Sequence, residues 1–136
     1  MSAAATITVT DRNFEDLLES HPILVLDFWA SWCGPCRGFA PVFEQAADRH
    51  ADIAFGKIDT DVEEDLARDF EIRSIPTVIV LREQVMVARQ SGALTAAALE
   101  KLIAHVRELD MDQVRAELDA EDPEDLDAPD TPPAQA

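Results

Sequence analysis

Cys33 and Cys36 are the only cysteines in the chain, two residues apart in Trp32-Cys33-Gly34-Pro35-Cys36. Thiols at this spacing lie within bridging range of each other across one helical turn. The apolar run Ile23-Leu24-Val25-Leu26 before them reads as a buried strand that delivers the pair to its carboxyl end. After them, Cys36, Phe39, Val42, Phe43, Ala46 and Ala47 recur at helical spacing. The first cysteine therefore falls at or near a helix N-terminus. There, unpaired N–H groups and the helix dipole favour the reactive thiolate.

Two blander readings compete with redox chemistry. A structural zinc site needs about four ligands. Beyond the two cysteines the chain offers only His21, His50 and His105, scattered without ligand spacing. A purely structural disulfide is geometrically possible. It would close so short a loop that the loop-entropy model gives it only about 2 kcal/mol. A domain of this size builds its own core and has little use for so weak a staple. The pair reads as a reversible dithiol.

The 136 residues support one domain of ordinary size. No basic segment followed by an apolar core opens the sequence, and no apolar run approaches the roughly 20 residues that span a bilayer. The expected compartment is the cytoplasm, where cysteine pairs tend to be catalytic. The formal net charge of −17 makes nucleic acid and anionic membrane poor partners. About half of that charge lies in residues 110–136, where ten acids face Arg115 alone. From Asp119 onward the sequence holds four prolines and only Leu126 as a large apolar residue, which reads as disorder. The expected division is a folded domain over 1–109 and, over 110–136, a helical extension with an acidic tail. That tail reads as a solubilising appendage, with partner recruitment as the alternative.

The positioning elements follow from periodicity. Thr6-Ile7-Thr8-Val9-Thr10 reads as a short strand, and Thr10 or Asp11 as the cap of a helix carrying Phe14, Leu17 and Leu18. That helix ends at His21-Pro22. A strand to Trp29 follows, then a long helix to about His50 that Pro41 should kink. Residues 53–59 form the next strand, and a helix over about 62–70 follows, capped by Thr60 or Asp61. Pro76 to Leu81 is a near-continuous apolar strand, as expected where both sheet faces are covered. Residues 85–90 must then pair with it as an antiparallel hairpin. Leu81-Arg82-Glu83-Gln84-Val85 has neither Gly nor Asn, so a type I variant is expected in place of a tight primed turn. Thr95 caps a last helix with Leu99, Leu102, Ile103 and Val106 on one side, ending anywhere between Leu109 and Leu118. The order β-α-β-α-β-α-β-β-α implies a mixed sheet covered on both faces.

With this order, the chain over about residues 5–109 resembles the thioredoxin family. The residues that carry the resemblance are Asp27-Phe28-Trp29-Ala30 ahead of Trp32-Cys33-Gly34-Pro35-Cys36, then Pro41, Lys57-Ile58-Asp59, Ser74-Ile75-Pro76-Thr77 and Gly92-Ala93-Leu94. The resemblance implies an α/β thioredoxin fold, a central mixed five-stranded sheet flanked by four helices. It implies a protein-disulfide reductase in which Cys33 attacks a client disulfide and the less exposed Cys36 resolves the mixed disulfide. A separate thioredoxin reductase would recharge the pair. No metal or bound organic cofactor is implied, and a monomer is expected.

Asp27 is implied as the base for Cys36. It interrupts an apolar strand, where a charged carboxylate is costly to bury; the alternative is a strand-end Asp facing solvent. Burial would raise its pKa towards neutrality. Lys57 takes the family position near this acid, against the alternative of an exposed strand lysine. The resemblance also implies a cis peptide bond at Ile75-Pro76, which X–Pro bonds adopt only in a minority of cases. Trp32, Gly34, Pro35, Ile75, Pro76, Gly92 and Ala93 would surround Cys33 as an apolar rim, with the Ile75 backbone free to pair with an extended client segment. Arg37-Gly38 departs from the family pattern, and so does the acidic tail. Two rivals remain: a related oxidant or isomerase, disfavoured by Pro35, and a non-enzymatic binding module, disfavoured by the intact Cys33, Cys36 and Asp27.

Overall fold

The structure, a computed structural model, describes residues 5–120. These residues form five strands and five helices in the order β1 (Thr6–Thr8), α1 (Phe14–Ser20), β2 (Ile23–Trp29), α2 (Gly34–Arg49), β3 (Ala54–Asp59), α3 (Glu64–Asp69), β4 (Thr77–Arg82), β5 (Val85–Ser91), α4 (Ala96–Glu108) and α5 (Met111–Ala120). The sheet order is β1-β3-β2-β4-β5. The first three strands in that order run parallel, and β4 pairs antiparallel with both of its neighbours, β2 and β5.

Strand alternation sorts the apolar residues into two cores. Val25, Phe55, Val78 and Val80 pack with Phe39, Phe43, Ala46 and Ala47 of α2 and Leu99, Ile103 and Val106 of α4. On the other face, Leu24, Leu26, Phe28, Ile58 and Ile79 meet Phe14, Leu17 and Leu18 of α1 and Leu66 of α3. Both faces are covered, which explains why β2 and β4 read as apolar runs with little alternation. Gly56 sits where a Cβ would collide with Val9 Cγ2 and press on Leu26 Cδ2, so its lack of a side chain lets Val9 lie over β3.

As expected, Pro41 lies inside α2, which is helical on both sides of it. Several other local expectations change. Asn13 takes the N-cap position of α1 with no side-chain cap bond, and Thr10 Oγ1 instead accepts the Arg12 and Asn13 N–H groups in the preceding turn. Helix α3 starts at Glu64, because Asp59 Oδ1 accepts the Asp61 N–H and holds 59–63 as a turn. The β4–β5 loop is a two-residue turn with Glu83 at φ 52° and Gln84 at φ 70°, the primed geometry that the missing Gly and Asn argued against. The twist of the paired strands selects that turn, and a 2.7 Å hydrogen bond from Glu83 N–H to the Pro22 carbonyl holds it. The last helix divides instead of fraying. Leu109 is extended, Asp110 Oδ1 accepts the Asp112 and Gln113 N–H groups, and α5 begins as a fifth helix. Arg82 secures the break by donating to the carbonyls of Val106 at 2.7 Å and Leu109 at 2.8 Å. Helix α5 is anchored by buried Met111 and by an ion pair between Arg115 and Glu83. The tail reading falls mostly on residues 121–136, outside the described residues; Asp119 and Ala120 belong to α5.

Candidate functional site

The carboxyl end of β2 opens into a tight turn, Cys33 N–H donating to Ala30 O at 3.2 Å, and α2 begins immediately. Cys33 is its N-cap residue, and Gly34-Pro35 form the first helical positions, where proline's lack of an N–H is harmless. Cys33 and Cys36 are joined as a disulfide, with Cα atoms 5.2 Å apart. The Cys36 N–H donates to Cys33 Sγ at 3.2 Å, the bond that a capping oxygen usually accepts. A thiolate at Cys33 would keep that donor and gain the dipole of a 16-residue helix.

Exposure does not separate the two cysteines: Cys33 is 4% and Cys36 3% exposed in this oxidised state. The bonded sulfurs pack together against Ala30, Trp29 and Ile75. The asymmetry lies in the surroundings. Cys33 caps the helix beside Trp32, which is 67% exposed, and its Sγ lies 3.8 Å from the Ile75 carbonyl oxygen. Cys36 sits one turn into the helix.

The rim residues converge from three loops. Trp32, Gly34 and Pro35 are exposed beside the disulfide, and Ile75 is half-buried against it. Ile75-Pro76 is cis. Pro76 differs from expectation in being buried; its carbonyl accepts the Gly92 N–H at 2.8 Å, bringing Gly92 and Ala93 to the same end of the sheet. Gly92 has φ +94°, a conformation that glycine adopts without strain. Beside Trp32 a groove of about 190 Å³ is lined also by Thr60, Ala67, Ile72, Arg73, Ser74 and Ile75. Its floor follows the end of α3, where Glu71 (φ 54°) closes a left-handed cap, with Ile72 N–H donating to Ala67 O at 2.9 Å.

Asp27 is 1% exposed, in the middle of β2. By strand alternation it shares a face with Trp29, which packs on the disulfide. Neither Asp27 oxygen has a hydrogen-bond partner among the described residues, and neither does Trp29 Nε1. Burial pushes the Asp27 carboxyl up to about 7, with the charge of Lys57 pulling the other way. Lys57 is the register partner of Asp27 on β3. Its side chain is 20% exposed, so it is no freely solvated lysine: Nζ lies 5.1 Å from the Trp29 ring centroid and 3.6 Å from Glu44 Oε2.

Three contacts carry no sequence signal. Trp32 Nε1 donates to Asp61 Oδ2 at 2.9 Å, Glu44 holds Lys57, and Arg37 donates to Ser31 O at 2.8 Å across the turn. Asp61 reads in sequence only as a helix cap, and its contact with Trp32 spans 29 residues. Glu44 reads as the solvated side of α2. Among the described residues no three His, Cys, Asp or Glu side chains group to hold a metal ion, and no helix is long and apolar enough to cross a membrane.

The sequence model of the Thioredoxin family matches residues 5–105. A protein of Streptomyces coelicolor assigned as thioredoxin 2 is 48% identical over 111 residues, 82% of this chain and 83% of that one. A Mycobacterium leprae protein named bifunctional thioredoxin reductase/thioredoxin is 40% identical over 107 residues, 77% of this chain and 23% of that one. The oxidised form of mitochondrial thioredoxin 3 from Saccharomyces cerevisiae superposes with a TM-score of 0.70 at 30% identity, over 77% of this chain and 99% of that one. With a helix-capping dithiol at the end of β2 and this sheet order beneath it, the chain belongs to the thioredoxin family and is a thiol–disulfide oxidoreductase that works through the Cys33–Cys36 pair.

Proposed function

We propose that this protein is a cytoplasmic, monomeric protein-disulfide reductase in which Cys33 attacks and Cys36 resolves, with a separate reductase restoring the dithiol. The observation that carries the assignment of roles is the N-cap position of Cys33, whose sulfur already accepts the Cys36 N–H. In the reduced protein that setting favours the Cys33 thiolate. The thiolate attacks one sulfur of a client disulfide; a bond from Cys33 Sγ forms, the client S–S bond breaks, and the departing client thiolate takes a proton from solvent. Asp27 then takes the proton from Cys36 Sγ. The Cys36 thiolate attacks Cys33 Sγ, closing the intramolecular disulfide and releasing the second client thiolate, to which the proton is returned. Two electrons have passed from the dithiol to the client.

An acid with a pKa near 7 can both accept and return that proton at neutral pH. Lys57 tunes it through charge. Trp32, Gly34, Pro35, Ile75, Gly92 and Ala93 supply the apolar docking surface, with Pro76 holding the Ile75 backbone in place from behind. The Ile75 backbone, beside Cys33, suits pairing with an extended client strand. The Mycobacterium leprae relative that joins a reductase and a thioredoxin in one chain supports recharging by a thioredoxin reductase. The domain over residues 1–109 carries a helical extension docked through Met111 and Arg115, and the acidic tail beyond it acts as a solubilising appendage.

Mixed-disulfide trapping tests the roles. Cys36→Ser should accumulate covalent adducts with a disulfide-bonded client, and Cys33→Ser should not. Trapping by Cys33→Ser alone would reverse the assignment.

A further inference from the structure

Lys57 lies between two carboxylates and is in contact with only one. Its Nζ is 3.6 Å from Glu44 Oε2 on α2 and 5.1 Å from the Trp29 ring, while both oxygens of Asp27, its register partner, are without a hydrogen-bond partner among the described residues. We propose that Glu44 is a positioning residue for the resolving step: it holds the Lys57 ammonium away from Asp27, so that the buried carboxyl stays unpaired and available to the cysteine pair. The inference rests on Asp27 as the base and adds a residue that acts on it through Lys57.

The competition for the ammonium has a definite sign. A direct Asp27–Lys57 ion pair would stabilise the carboxylate and make it a poorer proton acceptor. Glu44 opposes this in two ways: it occupies the ammonium, and it adds a negative charge to the neighbourhood. The surroundings of Asp27 offer few other charges. Across β4 its register partner is Val78, and across β3 it is Lys57 itself. From α2 the groups on that side are the sulfurs of Cys33 and Cys36 near the helix start and, beyond Lys57, Glu44. Lys57 is the charge that acts on Asp27 through space. Because Glu44 and the cysteines share α2, one helix carries both the redox pair and the group that sets the state of its base.

The test is the titration of Asp27, followed by carboxyl ¹³C NMR in the oxidised full-length protein and three variants. Glu44→Gln should move the Asp27 midpoint down by about half a pH unit or more. Lys57→Met should move it up. In the Lys57→Met/Glu44→Gln double variant most of the Glu44 effect should vanish, an outcome that general loosening of the helix would not produce, and Glu44→Asp should restore part of the wild-type midpoint. A midpoint that stays in place or rises in Glu44→Gln overturns the inference. The base role is read separately, from the pH profile of the second thiolate release when the reduced protein meets a chromophoric aryl disulfide. If the NMR midpoint falls in Glu44→Gln and the release profile does not follow it, the placement of Lys57 stands and the base role of Asp27 is overturned.

Discussion

Replacing Asp27 by Asn should stabilise the oxidised protein, and by more at pH 8 than at pH 5. The folded carboxyl titrates at about 7, against 3.8 without burial. A raised acid pKa means that the folded state binds the proton more tightly than the unfolded chain. Stability contributed by that proton is fully present below about pH 4 and is lost as pH rises towards 7. Integrated over those two values, the charge on Asp27 burdens the fold by roughly 4 kcal/mol at pH 8 and roughly 2 kcal/mol at pH 5. Both are ceilings, since structural relaxation around a buried charge reduces them. Asn keeps the shape and removes the charge, so its packing and hydrogen-bonding differences are nearly independent of pH. The stability gap between Asp27→Asn and wild type should therefore widen by about 2–3 kcal/mol between pH 5 and pH 8. Urea unfolding of both oxidised proteins at the two pH values measures this directly. A gap that is the same at both would mean that Asp27 is solvated or well paired, since such a carboxylate carries no such burden.

Gln84→Gly should raise stability by about 0.5–1 kcal/mol, because a side chain at φ 70° is strained in a way glycine is not; thermal unfolding checks it. Arg82→Met should lower stability by about 1–3 kcal/mol, since it strips the Val106 and Leu109 carbonyls of their guanidinium donor at the α4–α5 break. Hydrogen exchange should then show faster opening at the end of α4, with the amides of β2 unchanged.

Much of the fold was legible because its elements obey strong local rules. The apolar runs of β2 and β4 required a sheet covered on both faces, and Thr95 announced α4, its hydroxyl accepting the Ala98 N–H at 3.1 Å. The misses occurred where tertiary structure overrode propensity. The twist of β4 and β5 forced Glu83 and Gln84 into a primed turn that their side chains disfavour. The Val114–Leu118 periodicity continues that of α4, yet Asp110 and the Arg82 clamp end one helix and start another. In the site, the cysteine pair and Asp27 stood out by type and position, and Lys57 through the family resemblance. Glu44 and Asp61 did not, because an acid on a helix face or in a turn looks solvated until the fold brings Lys57 or Trp32 to it.

The Cys33–Cys36 couple passes electrons to protein disulfides. The direct measurement is reduction of insulin disulfides by dithiothreitol, with catalytic amounts of the wild-type protein, Cys33→Ser or Cys36→Ser. Wild type should accelerate precipitation of the freed insulin chain, and each serine variant should fall to the uncatalysed rate. Acceleration that survives in Cys33→Ser, or a wild-type protein no faster than dithiothreitol alone, would contradict it.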